Sequence, residues 1–361
     1  MDALKVRAER IINLMELTKT QACVVKSLEN RRYFTDLSTS EGMVVITAKG
    51  NRYVIVDDRY EEICEKQLAP QGFIIKIVVN GNYRDIMYEI VQSDRVSVML
   101  LESEDISHEE YTHFENSMYC KISPLKSQLA KIRASKDIEE VESLKTAQRI
   151  SEKTFEEIIN CIKPGMTEKQ VQARLVQSLL ENGSDLDKFH IWCVSGANSS
   201  LVHGVATDKV IEKGDALLLD FGAVYNGYRS CLARTISIGR PNGDFAEAYK
   251  AVKNAGLLGA KHIRAGVSAK EVDDEIRGYI EQMGYGKYFV HDSGHGLGLS
   301  YTEAPVISSR SRDVLEKGNI IITEPGIYIK GKFGIRIGDT FYIGERGTED
   351  LTKIQRELII L

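Results

Sequence analysis

Residues 162–183 read IKPGMTEKQVQARLVQSLLENG, and residues 263–284 read IRAGVSAKEVDDEIRGYIEQMG. At a constant offset of 101 residues, Ile162 coincides with Ile263, Gly165 with Gly266, Lys169 with Lys270, Val171 with Val272 and Gly183 with Gly284. His190 and His291 match at the same offset. A second pair of blocks follows in the same order, ALLLDFGAVYNGY at 216–228 and IIITEPGIYIKGK at 320–332. Each is an apolar run that ends in an acid, then a glycine-bearing turn, then another strand, with Asp220 opposite Glu324 and Gly222 opposite Gly326. Two matched blocks in one order point to a duplicated half-domain with pseudo-two-fold symmetry. That symmetry brings Asp220 and Glu324 toward a shared central cleft.

The rest of the chain fits around this unit. A length of 361 residues exceeds one ordinary core, so two domains are expected, divided as 1–128 and 129–361. With 43% hydrophobic and 27% charged residues the chain has the composition of a globular protein, not a disordered one. The net charge of −5 comes without a basic run, which excludes a phosphate-neutralising stripe and so a nucleic-acid partner. Charges interrupt every apolar stretch at the start of the chain, and no window reaches the roughly 18 apolar residues that mark a membrane span. Cys23, Cys64, Cys120, Cys161, Cys193 and Cys231 stand too far apart for a disulfide framework or a CxxC clip; reduced thiols in the cytoplasm are expected.

In the first domain, Ile11, Ile12, Leu14, Met15 and Leu17 form a short amphipathic helix. The runs 43–47 and 53–57 read as strands around the turn Lys49-Gly50-Asn51, with further strands at 73–79 and 96–101. Ser135 and Asp137 offer N-cap chemistry to a long helix through Ile138, Val141, Leu144 and Ile150, which Lys163-Pro164-Gly165 ends.

Five segments in order carry a resemblance. They are Ser195-Gly196-x-Asn198-Ser199-x-x-x-His203-Gly204, Leu219-Asp220-Phe221-Gly222-Ala223, Ser293-Gly294-His295-Gly296-Leu297-Gly298, Thr323-Glu324-Pro325-Gly326-Ile327-Tyr328 and Arg336-Ile337-Gly338-Asp339-Thr340. Together they resemble the pita-bread peptidases, the family of Xaa-Pro aminopeptidases, prolidases and creatinase. More loosely, Asn30-Arg31-Arg32-Tyr33-Phe34-Thr35 and Asp58-Arg59-Tyr60 resemble that family's N-terminal domain. The implied fold is a mixed α/β pita-bread domain behind a smaller creatinase/prolidase-type α/β domain.

In the metal-dependent members, five side chains hold two divalent ions that generate a hydroxide. Carried over by position, Asp220, His295 and Glu324 are three of the five. The family's second Asp falls at Cys231 and its second Glu at Gly338, so both bridging carboxylates are absent and a two-ion centre is not expected. The expected cofactor is none, with a single zinc or manganese ion on His295, Glu324 and the Cys231 thiolate as the alternative. Thr302 stands where these relatives carry a substrate-contacting His, whereas His203, His291 and Arg336 remain at cleft positions. Cys231 itself reads as an apolar filler in the space of an Asp, or else as a His-activated nucleophile or a metal ligand. Trp192 reads as core packing.

The resemblance therefore implies a metal-independent hydrolase of a C–N bond in a small amide, amidine or peptide-like substrate. His203, Glu324 and His291 would be catalytic, and Arg336, Cys231 and Thr302 would contact the substrate. The alternatives are an Xaa-Pro dipeptidase with one ion and a non-catalytic peptide binder. A homodimer is also implied.

Overall fold

The computed structural model describes residues 3–104, 106–187 and 190–361. The chain divides into two compact units, residues 1–133 and 134–361. In the first, runs rich in β-branched residues form a six-stranded sheet. Its strands are β1 (Ala22–Val25), β2 (Met43–Thr47), β3 (Arg52–Asp57), β4 (Phe73–Val78), β5 (Val98–Leu101) and β6 (Lys121–Pro124), in the spatial order β4-β3-β2-β1-β5-β6. β2 is antiparallel to both neighbours and the other pairs are parallel. Gly50, at φ +86°, supplies the left-handed residue of the turn expected between β2 and β3. The helix Ala3–Thr18 buries Leu4, Ala8, Ile11 and Met15, one stripe at helical spacing. Leu17, expected on that stripe, is 83% exposed because two residues beyond Met15 is roughly 200° around the helix.

The second unit is built on the duplication. The helices Glu168–Glu181 and Ala269–Gln282 keep the offset of 101 residues at both ends. Thr167 and Ser268 are their N-caps. Val171, Leu175 and Leu179 on one helix, and Val272, Ile276 and Ile280 on the other, are fully buried. Each helix packs into its own apolar core. The first half carries a three-stranded antiparallel sheet with Ala216–Phe221 between Ile191–Ser195 and Leu232–Ser237. The second carries five strands in the order Glu303–Ile307, Gly294–Gly296, Ile320–Thr323, Asp339–Gly344 and Gly347–Asp350. A β-bridge joins the two sheets, where Gly338 N–H donates to the Ala233 carbonyl at 2.9 Å.

The helix Ile138–Ile159 starts as expected, with Asp137 and Glu140 forming a reciprocal capping box. It stops at Ile159, four residues ahead of the expected Lys163-Pro164-Gly165, with Asn160 as its C-cap.

Candidate active site

Asp220, one residue from the end of Ala216–Phe221, is wholly buried. Glu324 follows Ile320–Thr323 directly, and its N–H donates to the Ser293 carbonyl at 2.8 Å. The duplicated strands thus present their acids from opposite halves to one place. Cys231 reaches it because Gly222 lets the next segment cross closely: a Cβ there would lie 1.8 Å from the Ser230 carbonyl oxygen. The Cys231 sulfur lies 3.5 Å from Asp220 Oδ1 and 3.5 Å from Glu324 Oε1. A fourth polar atom joins them, the Tyr301 hydroxyl, 3.1 Å from that sulfur and 3.5 Å from Asp220 Oδ1. Tyr301 sits on a turn pinned by Arg229, whose N–H and Nε–H donate to the carbonyls of Gly298 (2.8 Å) and Leu299 (3.1 Å). Its ring stacks on His190 at 4.6 Å.

The outer oxygen of Asp220, Oδ2, accepts from Arg336 Nη1 in a buried ion pair. Arg336 also donates from Nε to the Tyr328 hydroxyl at 2.7 Å and from Nη2 to the Val202 carbonyl at 3.1 Å. Three of its five N–H groups are thus held by protein acceptors, and the guanidinium also borders the cavity described below. His291 is committed as well. Its Nδ1 lies 2.8 Å from the Asp292 carbonyl, which can only accept, so Nδ1 carries the proton. Nε2 then accepts from Tyr328 at 3.0 Å. Arg336, Tyr328 and His291 thus form one directional chain, and His291 has no free nitrogen for catalysis.

Burial first, then the Arg336 charge, pushes His291 from an ordinary 6.5 down to about 4. The unfolded chain then takes up this proton before the folded one does. The stability that His291 contributes is whole above pH 6.5 and declines as pH falls toward 4. The urea midpoint is expected to drop between pH 7 and pH 4.5, and to drop less in His291→Gln. An equal drop in both proteins would assign the acid sensitivity elsewhere.

His295 points Nδ1–H at the Gly296 carbonyl (2.9 Å) and Nε2 at Glu324 Oε2 (3.5 Å). Burial opposes ionisation of Glu324, but the bond from His295 and the charge of Arg336 outweigh it and hold the carboxyl at about 2. Burial, then Asp220 and Glu324, pushes the Cys231 thiol well above its ordinary range, and burial does the same to Tyr301. Cys231 is thus no activated nucleophile in this setting.

Beside this cluster lies a cavity of about 220 Å³, lined among others by Trp192, His203, His291, His295, Tyr301, Thr302, Glu324 and Arg336. Six of the residues singled out from the sequence therefore share one space. Asp220 and Cys231 do not line it. Cys231, expected to touch substrate, is fully buried behind Tyr301. Of the single-ion set expected, Glu324 and Cys231 converge with Asp220 among the described residues, while His295 lies 3.5 Å from the outer oxygen of Glu324. Trp192 packs against the buried cluster of Val194, Leu218 and Tyr328, as expected, and also forms a cavity wall, its ring 5.5 Å from that of His203. Tyr301 was missed. Its signal was a lone aromatic side chain beside Thr302, in a turn already flagged for departing from pattern.

Residues 142–345 match the metallopeptidase family M24, and residues 7–135 match the creatinase/prolidase N-terminal domain. An Xaa-Pro dipeptidase of Pyrococcus furiosus is 34% identical over 358 residues, covering 99% of this chain and all of the relative. The solved structure of an Xaa-Pro dipeptidase from Bacillus anthracis superposes with a TM-score of 0.94 at 35% identity, over 99% of this chain and 100% of that one. An X-Pro aminopeptidase from Thermotoga maritima gives 0.89 at 32% identity, over 98% and 99%. No helix among the described residues is long and apolar enough to cross a membrane. The chain belongs to metallopeptidase family M24, with a creatinase/prolidase-type domain ahead of its pita-bread domain.

Proposed function

We propose that this chain hydrolyses a C–N bond in a peptide-like substrate of about dipeptide size, without the pair of metal ions its family uses. The observation that carries this is the content of one small cavity, where an uncommitted imidazole, His203, and the His295–Glu324 couple line the same space. Among the described residues His203 is exposed and has no hydrogen-bond partner, only the Trp192 ring against it. At about 220 Å³ the cavity is smaller than the roughly 300–1,000 Å³ of drug-sized pockets, which suits a short substrate. Similarity to Xaa-Pro dipeptidases supports a proline-containing one.

The donors do not fit two ions. Gly338 offers no side chain, and a Cβ there would already lie 2.9 Å from that of Ala233. Cys231 offers one sulfur where a bridging carboxylate would offer two oxygens. Nothing then offsets the repulsion of two neighbouring dications. The cleft chemistry rests on protein groups. Water oxygen bonds to the substrate's carbonyl carbon while His203 takes a proton from it; the C–N bond breaks, and that proton passes to the departing nitrogen. Thr302 lines the cavity, which supports a contact with the substrate. Six unpaired cysteines support a reducing cytoplasm, and the family resemblance supports a homodimer.

Proline release from Xaa-Pro dipeptides is the test, alongside elemental analysis of the protein. Turnover is expected to survive EDTA, and His203→Ala is expected to lower kcat about a hundredfold with an unchanged melting curve. Two ions per chain would sink the proposal. So would no turnover of Xaa-Pro dipeptides, cyclic amides or amidines, which would leave a binding protein.

A further inference from the structure

We infer that the N-terminal unit holds a second ligand site, for a small zwitterion with an apolar side chain, of the amino-acid type. The site is a cavity of about 700 Å³ lined wholly by that unit, and it shares no residue with the cavity of the candidate active site. Its place follows from the sheet. β2 runs opposite to β1 and β3, whereas β3 and β4, β1 and β5, and β5 and β6 are parallel pairs. Five strands therefore point one way, and β2 begins at the edge where they end. The cavity lies at this edge. Lys26 directly follows β1, Met43 begins β2, Met87 lies on the helix Tyr83–Asp94 after β4, and Phe114 lies on the helix His108–Ser117 after β5. From the neighbours β1 and β5 the chain leaves in opposite directions, to β2 on one side and to β6 on the other. Sheets of this kind take small ligands outside the carboxyl ends of strands whose outgoing connections diverge, because the divergence leaves a crevice.

The charges favour a carboxylate. Arg31 lines the cavity at only 7% exposure. Its Nη1 and Nη2 donate to the carbonyls of Gly42 (2.8 Å) and Thr39 (2.6 Å), its Nε has no partner, and among the described residues no acid pairs with it. Glu102, whose charge reaches Arg31, spends both oxygens on Lys26, Ser27 and Asn30. A buried guanidinium is ordinarily paired, so this one favours an anionic group beside it. Arg84 adds a second cation, with the Tyr119 ring against it at 5.2 Å and, among the described residues, no acid. It stands in the first turn of the helix Tyr83–Asp94. The N-cap of that helix, Asn82, turns its side-chain oxygen to the Val79 N–H at 2.8 Å instead of capping. Helix N–H groups left uncapped favour a carboxylate at the same place.

The rest of the lining selects among anions. Glu41, Glu109 and Glu110 also face the cavity, and their charges repel a phosphate dianion more than a group with no net charge. Glu110 is occupied by Lys26 at 2.5 Å, whereas Glu109 has no ion pair among the described residues and suits an ammonium. Met43, Met87 and Phe114 supply buried apolar surface for a side chain, and the two methionines adapt to its shape. A cation pair, a free acid and an apolar floor match the three parts of an apolar amino acid. The volume lies within the range of small-molecule pockets.

Calorimetric titration of the full-length protein with L-leucine is the test. One saturable site per chain is expected, with isocaproate, which lacks the amine, and leucinamide, which lacks the carboxylate, each weaker by about tenfold or more. Arg84→Gln, at an exposed position, is expected to weaken leucine by a similar factor. Glu109→Gln is expected to weaken leucine and to leave isocaproate unchanged. A diazirine analogue of leucine, photolysed on the protein, is expected to label peptides that contain Met87 or Phe114. No leucine uptake, or tighter binding of inorganic phosphate than of leucine, would overturn the site. So would label confined to peptides that contain Trp192 or Thr302, or leucine affinity unchanged in both Arg84→Gln and Arg31→Lys. None of these readings involves turnover, so the site and the proposed function stand or fall separately.

Discussion

Asp220→Ala is expected to lower the stability of the C-terminal unit by about 3–5 kcal/mol, the range for stripping one partner from a buried ion pair. The pair is shielded on both sides, with side-chain exposures of 5% for Arg336 and 0% for Asp220. Losing the carboxylate strands a guanidinium that cannot deprotonate and that is almost wholly buried. Its remaining bonds, to the Tyr328 hydroxyl and the Val202 carbonyl, hold it in place rather than releasing it. Nearby Glu324 offsets part of the stranded charge, which places the effect toward the lower end. Adding Arg336→Met to Asp220→Ala should recover part of the loss, because an apolar replacement of both partners leaves no unpaired charge. Urea denaturation reads this as a shift in midpoint at constant slope. A single variant within 1 kcal/mol of wild type would mean that the ion pair is solvated.

Gly222→Ala is expected to be the more damaging change, costing more than about 4 kcal/mol and leaving little folded protein. The added methyl would sit 1.8 Å from the Ser230 carbonyl oxygen and 2.7 Å from its carbon, which are backbone atoms with no rotamer to escape into. The crossing cannot open, because it is stapled by side chains. The Ala223 N–H donates to Ser151 Oγ at 2.8 Å and to Ser230 Oγ at 3.0 Å, while the Ser230 N–H donates to the Ala223 carbonyl at 3.0 Å. Soluble yield and a circular-dichroism melt measure the outcome. A variant that melts with wild type would show that the two segments do not cross so closely. The same crossing delivers Cys231 to Asp220.

Much of this was legible in the sequence, for a physical reason. The duplication shows because a helix that must bury Val171, Leu175 and Leu179 against its sheet, and a copy that must bury Val272, Ile276 and Ile280, keep the same spacing and the same flanking glycines. Asp220 and Glu324 could be placed together because each closes a buried strand of the repeated block. What stayed hidden depended on which way a side chain turns. Cys231 and Tyr301 lie 70 residues apart, and nothing in either segment announces that a thiol and a phenol meet. Arg336 and His291 were recognisable as cleft residues. That Arg336 Nε and His291 Nε2 are joined through the Tyr328 hydroxyl follows only from geometry. Trp192 stands next to Cys193 in one strand, so alternation sends one to the core and the other to the cavity, and composition alone cannot say which.

The bridge between Ala233 and Gly338 has a consequence beyond holding two sheets together. Asp220 belongs to one half of the duplication and Glu324 to the other, and this seam is the point at which their strands are indexed against each other. The gap between the two acids is therefore a caliper reading of how the halves are docked. A substitution at the seam that never approaches either carboxylate can reset the caliper, and with it the opening between the jaws.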